Sequence, residues 1–204
     1  MKTQILMISI ISLILLGFDW QLISHKPVDI KRNHVQQIYA AELGVREKTG
    51  ENDGPKVEEY LRHVKLKKGD PWCAAFACWV LDQAGIANPR TGWSPGLFAK
   101  SKVIWERSRE VAGKIVAVAG RKTVAEQGVA EAVKSLPQKG DIFGIWFRDK
   151  GRIAHVGFVD SWSEKWLITV EGNTNEAGSR EGDGVWRKRR LVASVYQVSD
   201  FISR

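Results

Sequence analysis

After Pro137 the apolar residues of this 204-residue chain change their period. Upstream, they recur at the three- and four-residue spacing of helices. Downstream, Gly140-Asp141 opens a series of short, alternating, β-branched and aromatic runs separated by turn residues. Helices first and an antiparallel sheet afterwards predict an α+β fold. The expected helices cover residues 34–47, 56–64 and 71–84, with a further one at 97–107. The expected strands cover 142–147, 153–162, 166–171, 184–192 and 196–202. Between them, 111–119 reads as a hairpin arm and 124–135 as a helix.

The N-terminus has a different character. Lys2 precedes an apolar run at residues 5–18, interrupted by two serines, and Asp19 follows. Charge first and apolar stretch second is the order of a secretory signal or of a membrane anchor with its N-terminus inside. The expected division is therefore a signal peptide or anchor at 1–24, a polar linker at 25–33 and one folded domain at 34–204. The protein is expected to be exported, as a monomer, to the periplasm, wall or exterior, or held at the membrane by its N-terminus.

Composition narrows the chemistry. The formal net charge of +8 suits polyanions: nucleic acid, anionic lipid or the acidic polymers of a bacterial wall. No zinc-finger, helix-turn-helix or ribonucleoprotein pattern points to nucleic acid. Arg187-Lys188-Arg189-Arg190 reads as a solvated strand. The two cysteines, Cys73 and Cys78, lie five residues apart on one helix and point in different directions, so no disulfide is expected. The four histidines show no ligand spacing, and no metal or cofactor is expected. The acidic loop Thr49-Gly50-Glu51-Asn52-Asp53-Gly54-Pro55 lacks the spacing of an EF-hand.

The candidate chemistry starts at Asp70-Pro71-Trp72-Cys73. Asp70 reads as an N-cap and Pro71 as the first helical residue. Cys73 then meets the free N–H groups and the positive end of the helix dipole, which favour a thiolate. Its own backbone N–H is a natural oxyanion donor. His155, in Ile153-Ala154-His155-Val156-Gly157-Phe158, sits on a strand as a candidate general base. Glu171 and Asn173 end the next strand, and either could orient the imidazole. Cys78, among alanines and aromatics, reads as core. Nine Trp is a high count; most are read as packing, with Trp72, Trp93 and Trp146 as candidates for a substrate groove.

Together these stretches resemble the CHAP family of cysteine peptidoglycan hydrolases. The likeness rests on Gly50-Glu51-Asn52-Asp53-Gly54-Pro55, Tyr60-Leu61, Pro71-Trp72-Cys73-Ala74-Ala75-Phe76, Gly140-Asp141, His155-Val156-Gly157-Phe158 and Glu171-Gly172-Asn173-Thr174-Asn175. The loop from Gly178 to Val185 continues it. The resemblance implies a papain-like, NlpC-related fold and amidase or endopeptidase action on wall peptides. It implies Cys73 as nucleophile, His155 as base, Glu171 as orienting residue and Asn173 as a further polar group. The segment 100–135 is longer than a minimal domain of this kind needs. A catalytically silent wall-binding module and a transacylase using the same thioester are the rival readings.

Overall fold

The computed structural model describes residues 27–107, 135–176 and 182–203. The expected signal or anchor, the hairpin arm and nearly all of the helix at 124–135 lie outside the described residues. No helix among the described residues is long and apolar enough to cross a membrane.

Among the described residues three helices come first: α1 (Pro27–Ala41), α2 (Pro55–His63) and α3 (Cys73–Gln83). Six strands follow: β1 (Val103–Glu106), β2 (Ile142–Phe147), β3 (Arg152–Trp162), β4 (Trp166–Thr174), β5 (Gly184–Leu191) and β6 (Gln197–Ser199). They form one sheet in the order β1-β6-β2-β3-β4-β5, with every pairing antiparallel. The protein is therefore α+β, with the helices gathered ahead of the sheet.

The core lies between α3 and the sheet. All nine residues from Cys73 to Leu81 are buried, so α3 is apolar on every side and fits only as a central helix. Phe76 meets Tyr60 of α2, Trp72 and Phe158 of β3 edge-on, with ring centres 5.3, 6.4 and 6.1 Å away. Tyr39 of α1 stacks on Phe158 at 5.0 Å. Gly172 lets β4 approach this helix. A Cβ there would lie 2.7 Å from the Trp72 ring and 2.9 Å from Phe76. A second cluster (Ile104, Phe143, Val159, Leu167, Val195 and Val198) is built mostly from strand residues.

Several sequence expectations change. Residues 27–33, read as linker, form the first half of α1, with Pro27 at its opening. A proline there is compatible with helix because the first N–H groups have no intrahelical partner anyway. The helix at 71–84 opens only at Cys73, with no side-chain cap. The Asp70 carboxylate instead accepts the Lys67 N–H at 2.8 Å and closes the preceding turn. The expected helix at 97–107 is a 3-10 turn, Ser94–Leu97, followed by the edge strand β1. The last strand is shorter than expected, Gln197–Ser199, while β4 runs on past Glu171 to Thr174.

Candidate active site

Four separate elements converge. Cys73 is the first residue of α3, so its sulfur meets the end of the helix where N–H groups lack partners. His155 lies in the middle of β3, Glu171 late in β4 and Arg190 near the end of β5. Cys73, His155 and Glu171 are 6%, 2% and 0% exposed, which removes water from any charge they carry.

The geometry runs outward from Glu171. Its Oε2 lies 2.7 Å from His155 Nε2. The Arg190 guanidinium grips the same carboxylate through Nε on Oε1 and Nη2 on Oε2, both at 2.5 Å. The Thr169 hydroxyl also donates to Oε1. Gly157 makes room for this arrangement, since a Cβ there would lie 2.7 Å from Glu171 Cγ. With Nε2 engaged, Nδ1 is the ring nitrogen left to reach the thiol. It is buried and makes no formed hydrogen bond among the described residues. Beside the thiol stands Ser94, its Oγ 3.7 Å from Cys73 Sγ.

The electrostatics follow from these contacts. Burial alone would raise the Cys73 pKa, but His155, Ser94 and the Val156 backbone N–H outweigh it and lower the thiol below its ordinary value. Burial alone would lower His155; Cys73 and Glu171 outweigh that and raise the imidazole to about 9. Burial opposes ionisation of Glu171 as well, yet Arg190 and His155 bring it down to about 2. These directions favour a thiolate beside an imidazolium at neutral pH. Cys78 shows the opposite outcome five residues along the same helix: with burial dominant, it is pushed up to about 11.

Asn173 sits close by with a different job. Its Oδ1 accepts the Trp72 N–H at 3.0 Å, and its Nδ2 donates to Asn52 Oδ1 at 2.9 Å and to the Gly182 carbonyl at 3.1 Å. It takes up a left-handed backbone conformation (φ 55°), which Asn tolerates better than most residues. The side chain thus ties the end of β4 to the residue before Cys73. It makes no hydrogen bond to His155, and Glu171 fills the orienting position.

A groove of about 470 Å³ opens over Cys73. Trp93, Ser94, Arg152, Ala154 and Asn173 contribute to its walls. Of the three expected groove tryptophans, Trp93 lines it and is 54% exposed. Trp72 is fully buried, with its indole N–H on Glu47 at 2.8 Å, and belongs to the core beneath the site. Trp146 lies outside the lining and packs on Tyr196 at 4.9 Å.

The basic run at 187–190 is solvated on one face only: Arg187 and Arg189 are exposed, while Lys188 and Arg190 are partly buried. Arg190 holds Glu171, Arg187 pairs with Asp160 at 3.3 Å and Arg189 stacks over Trp166 at 4.1 Å. Period-2 alternation was the available signal: it puts Lys188 and Arg190 on one face and Arg187 and Arg189 on the other. The register that sets Arg190 across from Leu167, and so within reach of Glu171, depends on β4 and β5 being paired.

Among the described residues, no group of three or more His, Cys, Asp or Glu side chains is placed to hold a metal ion. In the acidic loop, Asp53 accepts from Thr49 and pairs with Lys68, and Glu47 accepts from Asn52 and Trp72.

No curated protein and no solved structure matches the chain. The sequence pattern of the CHAP domain matches residues 65–173, more than half of the chain. The matched span includes Cys73, His155, Glu171 and Asn173 and stops short of Arg190. On that match, and with an α+β fold that agrees, the chain belongs to the CHAP domain family of peptidoglycan hydrolases.

Proposed function

We propose that the protein is an exported cysteine hydrolase that cuts an amide bond in the peptide portion of peptidoglycan. The observation that carries this reading is the buried relay from Arg190 through Glu171 and His155 to Cys73 beneath an open groove. Export is supported by the charge and apolar order of residues 2–19.

In the proposed mechanism the Cys73 thiolate attacks the scissile carbonyl carbon. The electron pair moves to the carbonyl oxygen, which the Cys73 backbone N–H at the helix start stabilises. Collapse breaks the C–N bond while His155 Nδ1 gives its proton to the departing amine, leaving a Cys73 thioester. Neutral His155 then takes a proton from water as the water oxygen attacks the thioester. The C–S bond breaks, the carboxylic acid product leaves and gives its remaining proton to solvent, and the thiolate–imidazolium pair is restored. Glu171 keeps the proton-bearing Nε2 fixed, so that Nδ1 faces the chemistry in both half-reactions.

The test is mass spectrometry of purified peptidoglycan after incubation with the full-length protein, beside Cys73→Ala. The native protein is expected to release new fragments that identify the cut bond, and Cys73→Ala to release none above background. Pelleting with the wall that is independent of Cys73, with no fragments from several wall chemotypes, would instead favour a binding module. Capture of added amines in the product would mark a transacylase.

A further inference from the structure

Two arginines line the groove, and they differ in how their charge is met. Arg90 is clipped to Asp82 by Nε at 2.7 Å and Nη2 at 3.3 Å. Arg152 has no carboxylate within salt-bridge distance among the described residues. Its one hydrogen bond there runs from Nη1 to the adjacent Ile153 carbonyl at 3.1 Å. A guanidinium offers five N–H donors in a planar fork, so most of its bonding capacity stays open. The plane is held in place all the same, because the Arg152 guanidinium carbon sits 4.1 Å from the centre of the Trp93 ring. Trp93 precedes Ser94, whose hydroxyl neighbours the Cys73 sulfur. Asp70, the acidic residue among the described lining, already accepts the Lys67 N–H on the far side of Pro71.

The backbone explains how Arg152 reaches this wall. Residues three apart on a regular strand point to opposite faces, which would set Arg152 against His155. The pairing of β3 with β2 steps from Ile145↔His155 to Trp146↔Ile153, so Ala154 has no partner of its own. Such a bulge re-aims the side chains beyond it. The shift brings Arg152 to the face that carries His155, and Arg152 lines the groove together with Ala154.

We propose that Arg152, steadied on Trp93, is a specificity-determining residue that receives a free carboxylate of the peptide substrate beside the scissile amide. A planar carboxylate matches the fork in two-point contact, which a neutral amide in the same place cannot reproduce. The inference rests on the groove being the substrate site and leaves the thiol chemistry as already described. It assigns the enzyme to wall peptides whose carboxylates are free rather than amidated.

The experiment measures binding, so that it stands apart from hydrolysis. Full-length protein carrying Cys73→Ala is titrated with soluble disaccharide-peptide fragments of peptidoglycan, before and after carbodiimide amidation of their carboxylates. The unmodified fragments are expected to bind on the order of tenfold more tightly than the amidated ones. Adding Arg152→Gln is expected to bring the unmodified fragments down to the amidated level. Arg152→Lys, which keeps the charge but loses the fork and the stack, is expected to fall between. Equal binding of the two forms, binding of neither, or discrimination that survives Arg152→Gln overturns the proposal. Discrimination by a protein whose native form releases no fragments would leave the carboxylate site standing and remove the hydrolase reading.

Discussion

Among the described residues, two buried arginine–carboxylate clusters are charged in opposite senses. In the first, Arg32 of α1 is shared by two acids, Asp141 through Nη1 at 2.7 Å and Asp200 through Nη2 at 3.1 Å. In the second, Glu171 is shared by two cationic groups, Arg190 and His155. Burial raises Asp141 to about 6, since one arginine serves two carboxylates and Asp200 adds its repulsion. Burial works against Glu171 as well, yet two cations on one carboxylate take it down to about 2. Burial is the largest influence on both acids, and the number of cations facing each decides whether it is overcome. The first cluster ties α1 to the turn before β2 and to the C-terminal segment. The second keeps a fixed negative charge behind an imidazole.

If Arg32 serves only the fold, its loss should be felt in stability and not in the chemistry. Arg32→Met leaves Asp141 and Asp200 facing each other, buried, without a counterion. A stability loss of about 3–5 kcal/mol is expected in urea unfolding, the cost of breaking a buried pair from one side. The pH profile of kcat/KM for the protein that remains folded should not move. A shifted profile would show that the two clusters are coupled and that the contrast between them is false.

Arg190 is the reverse case. Arg190→Gln keeps length and some hydrogen bonding but removes the charge that competes with His155 for Glu171. A fall in kcat of about tenfold to a hundredfold is expected, a fraction of what a general acid–base group contributes. The informative readout is the basic limb of the pH–rate profile. That limb reports His155, whose pKa of about 9 is set by Cys73 and Glu171 against burial, with Arg190 and Lys188 of β5 on the far side of Glu171. Taking away a positive neighbour makes the imidazolium easier to hold, so the limb should move to higher pH. Arg190→Lys restores charge without the two-point grip and should return the limb while recovering only part of the rate. Loss of rate with an unmoved limb would reduce Arg190 to a structural tie.

The uneven legibility of these clusters in the sequence has a physical basis. Local signals were readable. The apolar helix after Trp72 and the strand at 142–147 each announce themselves over a few neighbouring residues. So was the ordered set of Cys73, His155, Glu171 and Asn173, because each stands in a distinctive short context. Contacts that depend on register were not. Arg190 looks like one of four basic residues until β5 is laid beside β4. Asp141 sits in a motif that resembles the family pattern, but its partner Arg32 is 109 residues away and lay in a stretch read as linker. Asp70 was misread for a local reason: the Lys67 N–H offers its carboxylate a nearer donor than the helix does. The bulge at Ala154 leaves no mark in the sequence, so Arg152 was invisible as a groove residue.

The contrast sharpens furthest in the pH dependence of stability, where the two acids should pull in opposite directions. Asp141 has a folded pKa of about 6, above the ordinary 3.8. Its contribution is present below 3.8 and is lost as pH rises through 6. Glu171 has a folded pKa of about 2, below the ordinary 4.5, so its contribution is present above 4.5 and is lost as pH falls toward 2. Two isosteric variants separate these slopes. Between pH 4 and 6, the stability difference between the native protein and Asp141→Asn should change by about 2 kcal/mol, the native protein gaining toward the acid side. Over the same interval above 4.5, the difference from Glu171→Gln should stay flat, and it should shrink only as pH falls from 4.5 toward 2. Urea unfolding at half-unit pH steps reads both. Parallel curves for the two variants would mean that both carboxylates feel burial alike, and that the second cation on Glu171 does not hold it ionised.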